Sequence, residues 1–211
     1  MRSSPTRWRA RSGRPPRARA SWPQRVRTDP TDAEELMSAI TFVVETLLSL
    51  ALFVVLARLL LQWTRADFRN PLCQAVVRIT NPLILPLRRV LPPIGKLDTA
   101  SVIAVLMVAV LDVACIFALH GVGFPPPLLW LRAVLGEIAR TLLWTYLSAI
   151  FLYALLSLIA PGGYSPLQSV LGTVCEPVLR PIRRLIPAVA GLDLSPLWAI
   201  IAIQAILILM R

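Results

Sequence analysis

From about residue 37 onward the chain alternates between long apolar runs and short, basic, proline-punctuated stretches. Four runs have the length and composition of membrane helices. A bilayer core of about 30 Å needs about 20 apolar residues at a rise of 1.5 Å each. The first run, about 38–63, is interrupted by Glu45 and by Arg58, which lies close enough to the end to snorkel toward headgroups. The second, about 99–119, contains one acid, Asp112, and stops at Gly121, Gly123 and Pro125-Pro126-Pro127. The third, about 138–160, is free of charge from residue 141 to its end at Pro161-Gly162-Gly163. The fourth, about 194–210, is short, with Gln204 as its strongly polar side chain. Trp63 and Trp198 stand near span ends, as interfacial aromatics do. The pattern predicts an all-α membrane protein of about four transmembrane helices.

Compared with itself at an offset of 95 residues, the chain repeats. The stretch Asn81-Pro82-Leu83-Ile84-Leu85-Pro86-Leu87-Arg88-Arg89-Val90-Leu91-Pro92 lies over Glu176-Pro177-Val178-Leu179-Arg180-Pro181-Ile182-Arg183-Arg184-Leu185-Ile186-Pro187, with prolines, arginines and apolar positions in register. Leu97-Asp98 then lies over Leu192-Asp193, and Asn70-Pro71 over Ser165-Pro166. Gly95 and Gly191 are one place out of register. Two tandem two-helix repeats follow, 37–122 with spans at about 38–63 and 99–119, and 123–211 with spans at about 138–160 and 194–210. An even number of spans per unit puts both basic loops on one face of the bilayer. Three prolines per loop argue against a continuous helix. The loop is expected to lie in the interface, with Leu and Ile toward acyl chains and arginines toward headgroups.

The motif N/E-P-x-x-x-P-[LI]-R-R-x-[LI]-P, followed by a Gly/Asp turn and an apolar span, resembles the YggT repeat. The resemblance covers about residues 38–211. The second copy, ending Gly191-Leu192-Asp193-Leu194-Ser195-Pro196, is nearer the family pattern. The first departs from it with Lys96 and with Thr99-Ala100-Ser101. The resemblance implies an integral membrane protein of bacteria or plastids. It further implies association with assembly of a cytochrome cofactor, with cell division and envelope organisation, or with osmotic tolerance.

Composition agrees with a membrane residence. Hydrophobic residues make up 56% and charged ones 16% of the chain, against roughly 45–50% and about 25% in ordinary globular proteins. Residues 1–36 differ from the rest: up to residue 30 they hold nine arginines, five prolines and one acid. They read as a disordered basic tail, with Met37 as an alternative start. The net charge of +11 invites a nucleic-acid reading. Outside the tail, however, the basic residues sit beside apolar spans, where anionic headgroups are the natural partner. Nucleic acid is not expected. Six basic residues in 64–98 and three in 161–193, against Arg132 between the repeats, place the repeat loops in the cytoplasm of a multi-pass inner-membrane protein by the positive-inside rule. The arginine tail pulls the other way.

The candidate chemistry follows from this layout. Arg88, Arg89, Arg183 and Arg184 are candidates for binding anionic lipid or a partner. Asp98 and Asp193 stand where a new helix begins, either as N-caps or as carboxylate partners of those arginines. Within the spans Glu45, Asp112 and Arg140 are the polar candidates, since ionisable groups in a bilayer are functional by default. Glu45 aligns with Arg140 in the repeat, so the two can pair between spans one and three. Alternatively, Arg140 pairs with Glu137 one turn earlier. No cofactor is expected. Cys73, Cys115 and Cys175 form no C-x-x-C pair, and a lone His120 supports neither a bis-histidine haem nor a histidine-based catalytic set. The chain reads as a non-catalytic assembly or organisation factor working through its basic loops on protein partners and lipid. The alternative is a solute or ion pathway, as a homo-oligomer.

Overall fold

The computed structural model describes residues 30–91, 98–121, 123, 125–159, 165–185 and 193–210. Pro92, Gly95, Lys96, Leu97, Pro187, Gly191, Leu192 and residues 1–29 of the expected tail lie outside the described residues. The described residues form six helices: α1 (Pro30–Trp63), α2 (Pro71–Val90), α3 (Thr99–Leu119), α4 (Pro127–Ile159), α5 (Pro166–Leu185) and α6 (Ser195–Leu209). The chain divides into two compact units, Met1–Ser38 and Ala39–Arg211. In the first, the described part is helical, with Ser38 Oγ donating to the Glu35 carbonyl at 2.8 Å. Everything below concerns the second.

Helices α1, α2, α4 and α5 each open on a proline, whose fixed φ and missing N–H suit a first turn. This moves two expected boundaries. The helix begins at Pro30, inside the stretch expected to be disordered up to residue 36, and α4 begins at Pro127 rather than near 138. Three helices, α1, α3 and α4, are long and apolar enough to cross a membrane, while α6 is a shorter apolar helix of 15 residues. Their outer surfaces carry large apolar side chains, among them Met107 and Leu111 on α3, Trp144 and Phe151 on α4, and Trp198 and Ile201 on α6. In water such a surface would be an association hazard; against acyl chains it is the expected exterior.

The loops differ from expectation in kind. Each Pro/Arg-rich segment is a continuous, strongly amphipathic helix of 20 residues, with Pro82 and Pro86 inside α2 and Pro177 and Pro181 inside α5. The four-residue spacing explains how. Each pair stacks on one helical face, and all four prolines are exposed. The carbonyls left without a donor therefore point outward, where water or headgroups can satisfy them. The opposite face buries Cys73, Thr80 and Ile84 in α2, and Val174, Cys175 and Leu179 in α5.

Packing follows the repeat. α2 lies against α3 as α5 lies against α6, α4 packs on both α5 and α6, and α3 on α4 joins the halves. The first core takes Leu52, Val55 and Leu56 from α1, Ala104, Val105 and Val108 from α3, and Val134 from α4. Alanines at 100, 104 and 109 are fully buried, small side chains that let neighbouring backbones approach. The second core joins Leu147, Ile150, Cys175, Leu179, Ala199 and Ile203.

Candidate functional site

The end of α1 sets the direction of everything after it. The Arg65 N–H donates to the Gln62 carbonyl at 3.2 Å and the Ala66 N–H to the Leu61 carbonyl at 2.9 Å. With Arg65 at φ 54 this is a Schellman turn, in which an arginine occupies the left-handed position usually held by glycine. Ala66 and Leu61 then pack with Cys73 and Val174 in a small core under both amphipathic helices. Asn70 caps α2, accepting from the Leu72 N–H at 3.0 Å, and its own amide donates to the Pro166 carbonyl at the start of α5 at 2.7 Å. The two repeat helices are thus fastened to each other, on the same face of the bundle.

Each helix is then latched to the apolar helix that follows it. In the first copy Asp98 Oδ2 accepts from Arg88 Nε at 3.2 Å and forms a second, short bond with Arg88 Nη2. The same oxygen accepts from Gln62 Nε2 of α1 at 3.2 Å and from Ser101 Oγ of α3 at 2.8 Å. One carboxylate thereby gathers α1, α2 and α3. Among the described residues its side chain makes no cap bond to the helix, so of the two roles expected for Asp98 it fills the partner of arginine. In the second copy Arg183 Nε donates to Asp193 Oδ2 at 2.9 Å, and Asp193 Oδ1 accepts from the Ser195 N–H at 2.9 Å and its hydroxyl at 2.5 Å. Asp193 fills both roles. Partial burial works against each ionised carboxylate. For Asp98 the bonds from Arg88, Ser101 and Gln62 outweigh it, and for Asp193 those from Ser195 and Arg183; both are held below the usual carboxylate range.

The copies differ one layer inward. Arg58, expected to snorkel to headgroups, is 2% exposed. Its Nη1 donates to Thr80 Oγ1 at 2.7 Å, Asn81 Oδ1 at 3.0 Å and the Val77 carbonyl at 3.2 Å, so α2, lying across it, takes the bonds that lipid headgroups would have made. At the equivalent place the second repeat has Tyr153, whose hydroxyl interacts electrostatically with Arg183. Glu176, standing where the first copy has Asn81, receives Arg183 Nη1 at 3.0 Å and lies 3.4 Å from Arg180 Nε. A cleft of about 790 Å³ opens beside this pair, with Thr64, Tyr153, Gln168, Ser169, Glu176 and Arg180 in its lining. Sequence reasoning gives Arg58 a snorkelling role and Glu176 only a place in the repeat motif, and it does not single out Gln62 or Tyr153; for Arg58 and Tyr153 the repeat offset was the available signal.

Arg89 and Arg184 are exposed in the last turns of α2 and α5, where a cation complements the helix dipole. Burial pushes the Cys175 thiol up to about 12. The intramembrane candidates come together only in part. Arg140 pairs with Glu137 on its own helix, so the inter-repeat pair with Glu45 is not made: Glu137 is one turn away, within reach without bridging two helices. Glu45 instead lies 3.4 Å from His120 Nδ1. Asp112 is fully buried in α3. Among the described residues, no three His, Cys, Asp or Glu side chains are arranged to hold a metal ion.

A family model described as CCB3/YggT matches residues 37–119 and again 132–211. An uncharacterized protein of Pseudomonas aeruginosa is 38% identical over 182 residues, covering 81% of this chain and 87% of that protein. The uncharacterized protein YggT of Escherichia coli K12 is 35% identical over 173 residues, 81% of this chain and 88% of the relative. A Vibrio alginolyticus protein encoded in the proC 3′ region is 38% identical over 173 residues, 80% and 91% of the two chains. No solved structure matches.

Proposed function

Because the chain belongs to the CCB3/YggT family and carries its unit twice, we propose that it is a non-catalytic membrane organiser whose two joined amphipathic helices form a basic docking platform. The observation that carries this reading is the repeated latch. Arg88 and Arg183 are engaged by Asp98 and Asp193, which fixes each helix against its span. Arg89 and Arg184 then stand exposed on a rigid base. Arginines so placed attract anionic lipid at about 1 kcal/mol each and offer guanidinium forks to acidic partners. In this reading α6 is the fourth span, and the platform faces the cytoplasm at the inner membrane, as the excess of basic residues beside α2 and α5 supports. The partners are assembly proteins of the kind the family resemblance implies, for the division envelope or a cytochrome.

Cross-linking in native membranes, followed by identification of neighbours, tests this. Arg89→Glu with Arg184→Glu should abolish a specific cross-linked neighbour while leaving the folded protein in the membrane. An unchanged cross-linking pattern would refute the platform.

A second reading is supported by Asp112, a charged residue type inside an apolar span: a small-solute or ion pathway, formed by an oligomer and tied to osmotic tolerance. Solute flux into liposomes that is abolished by Asp112→Asn would select it.

A further inference from the structure

We propose that Asp112 is a proton-binding site inside the helix bundle, supplied from the membrane surface through Glu45 and His120. The inference is independent of whether the platform recruits a partner. Asp112 is 0% exposed, and neither of its carboxylate oxygens has a hydrogen-bond partner within normal distance. Buried polar groups are almost always bonded, so an orphaned carboxylate requires an explanation.

Its surroundings supply one. Asp112 feels the charges of Glu45 on α1 and of Glu137 and Arg140 on α4, with the Ser49 hydroxyl of α1 nearby. Glu137 is itself nearly buried, at 8% exposure, and holds Arg140. Three carboxylates therefore face one guanidinium, and that guanidinium is already engaged. Uncompensated charge of this kind is expensive away from water, so the group must take up positive charge. The side chains do not converge as a metal-ion set among the described residues. A proton needs no such convergence and removes the buried charge directly. Protonated, Asp112 is a neutral carboxylic acid, which costs far less to bury than the carboxylate.

Access is graded. The side chain of His120 is 52% exposed at the end of α3, and that of Glu45, 3.4 Å from His120 Nδ1, is 30% exposed. Ser49 lies one turn along α1 from Glu45, on the side of Asp112. Asp112 sits about 10 Å from the end of α3 at 1.5 Å per residue. The Nδ1 proton, which also faces the Ile116 carbonyl at 2.9 Å, passes to a Glu45 oxygen as Nε2 takes a proton from water. Glu45 gives up its proton through the Ser49 hydroxyl to Asp112. The net change is one proton moved from bulk water to Asp112, with Glu45 ionised as before and the imidazole neutral but protonated on Nε2; exchange with water at this half-exposed ring returns the proton to Nδ1.

Infrared difference spectroscopy on the full chain in nanodiscs tests both parts. Near neutral pH the protein should show the carbonyl band of a protonated carboxylic acid. Labelling with carbon-13 aspartate should shift that band, and Asp112→Asn, which is isosteric and neutral, should remove it. In deuterium oxide the band should exchange, and Glu45→Gln should slow the exchange by about 100-fold, within the range a positioned proton-transfer group supplies. Absence of the band, or a band insensitive to aspartate labelling, overturns the site even if Asp112→Asn fails to fold. Exchange at the wild-type rate in both Glu45→Gln and His120→Ala overturns the route.

Discussion

At position 98 one carboxylate answers to three helices, and its aligned counterpart at 193 answers to two. The consequences for stability differ accordingly. Asp98 has a side chain only 12% exposed, so Asp98→Ala leaves Gln62 and Ser101 short of an acceptor; a loss of about 2 kcal/mol is expected from unfolding in detergent. The Arg183–Asp193 pair is more open, at 34% and 42%, and Arg183→Ala should cost about 1 kcal/mol or less. Both carboxylates are held below the ordinary range. Their contribution is therefore complete above the unfolded value of about 3.9 and is lost as pH falls through the lower folded value. Melting temperature should decline on acidification below about pH 4, and less steeply in Asp98→Asn; equal slopes would show the latch carries no linkage. That Asp98 and Asp193 could meet the arginines was legible, because the repeat kept both residues in step. The partners of Arg58 were not: they lie 19 to 23 residues along the chain and depend on how α2 crosses α1.

Among the elements, the apolar helices were plain in the sequence because a lipid-facing helix is apolar on all sides and needs no periodicity to be seen. The amphipathic helices were obscured by their prolines. A proline counts against a helix on average, but that average includes prolines whose freed carbonyls are buried. In α2 and α5 they face outward at four-residue spacing, so much of the usual penalty is relieved. Pro86→Ala should then leave the helix in place and raise stability by about 1 kcal/mol, part of the roughly 3 kcal/mol difference in intrinsic propensity. Unfolding in graded denaturant checks this, and a destabilised Pro86→Ala would mean that the proline at this position is required. Arg58→Met tests the other side of the same helix. It keeps the apolar stem but removes three hydrogen bonds to α2, and a loss of about 3 kcal/mol is expected in the same assay.

For the molecule as a whole, duplication was the most secure inference from sequence, and packing shows how the copies were joined. Among the described residues two seams hold them: α3 against α4, where the rings of Phe117 and Trp130 meet at a 45° tilt with centroids 5.8 Å apart, and α2 against α5 through Asn70 and Pro166. The halves produced as separate chains, cut between residues 121 and 125, should therefore associate in one membrane. Affinity capture of one half should retrieve the other, and Asn70→Ala with Trp130→Ala should weaken that recovery. Independent halves would show the seams to be incidental. The second seam was illegible beforehand because it joins one side-chain amide to one backbone carbonyl above a small core shared by Cys73 and Val174, matches that composition and periodicity do not encode.

That seam also has a mechanical consequence. A helix of 20 residues is about 30 Å long and about 10 Å across, a footprint of about 300 Å². With the platform at the membrane surface as proposed, α2 and α5 would push apart the lipids of a single leaflet. Each molecule is then a small one-sided wedge, at lowest strain where the bilayer already bulges toward its helices.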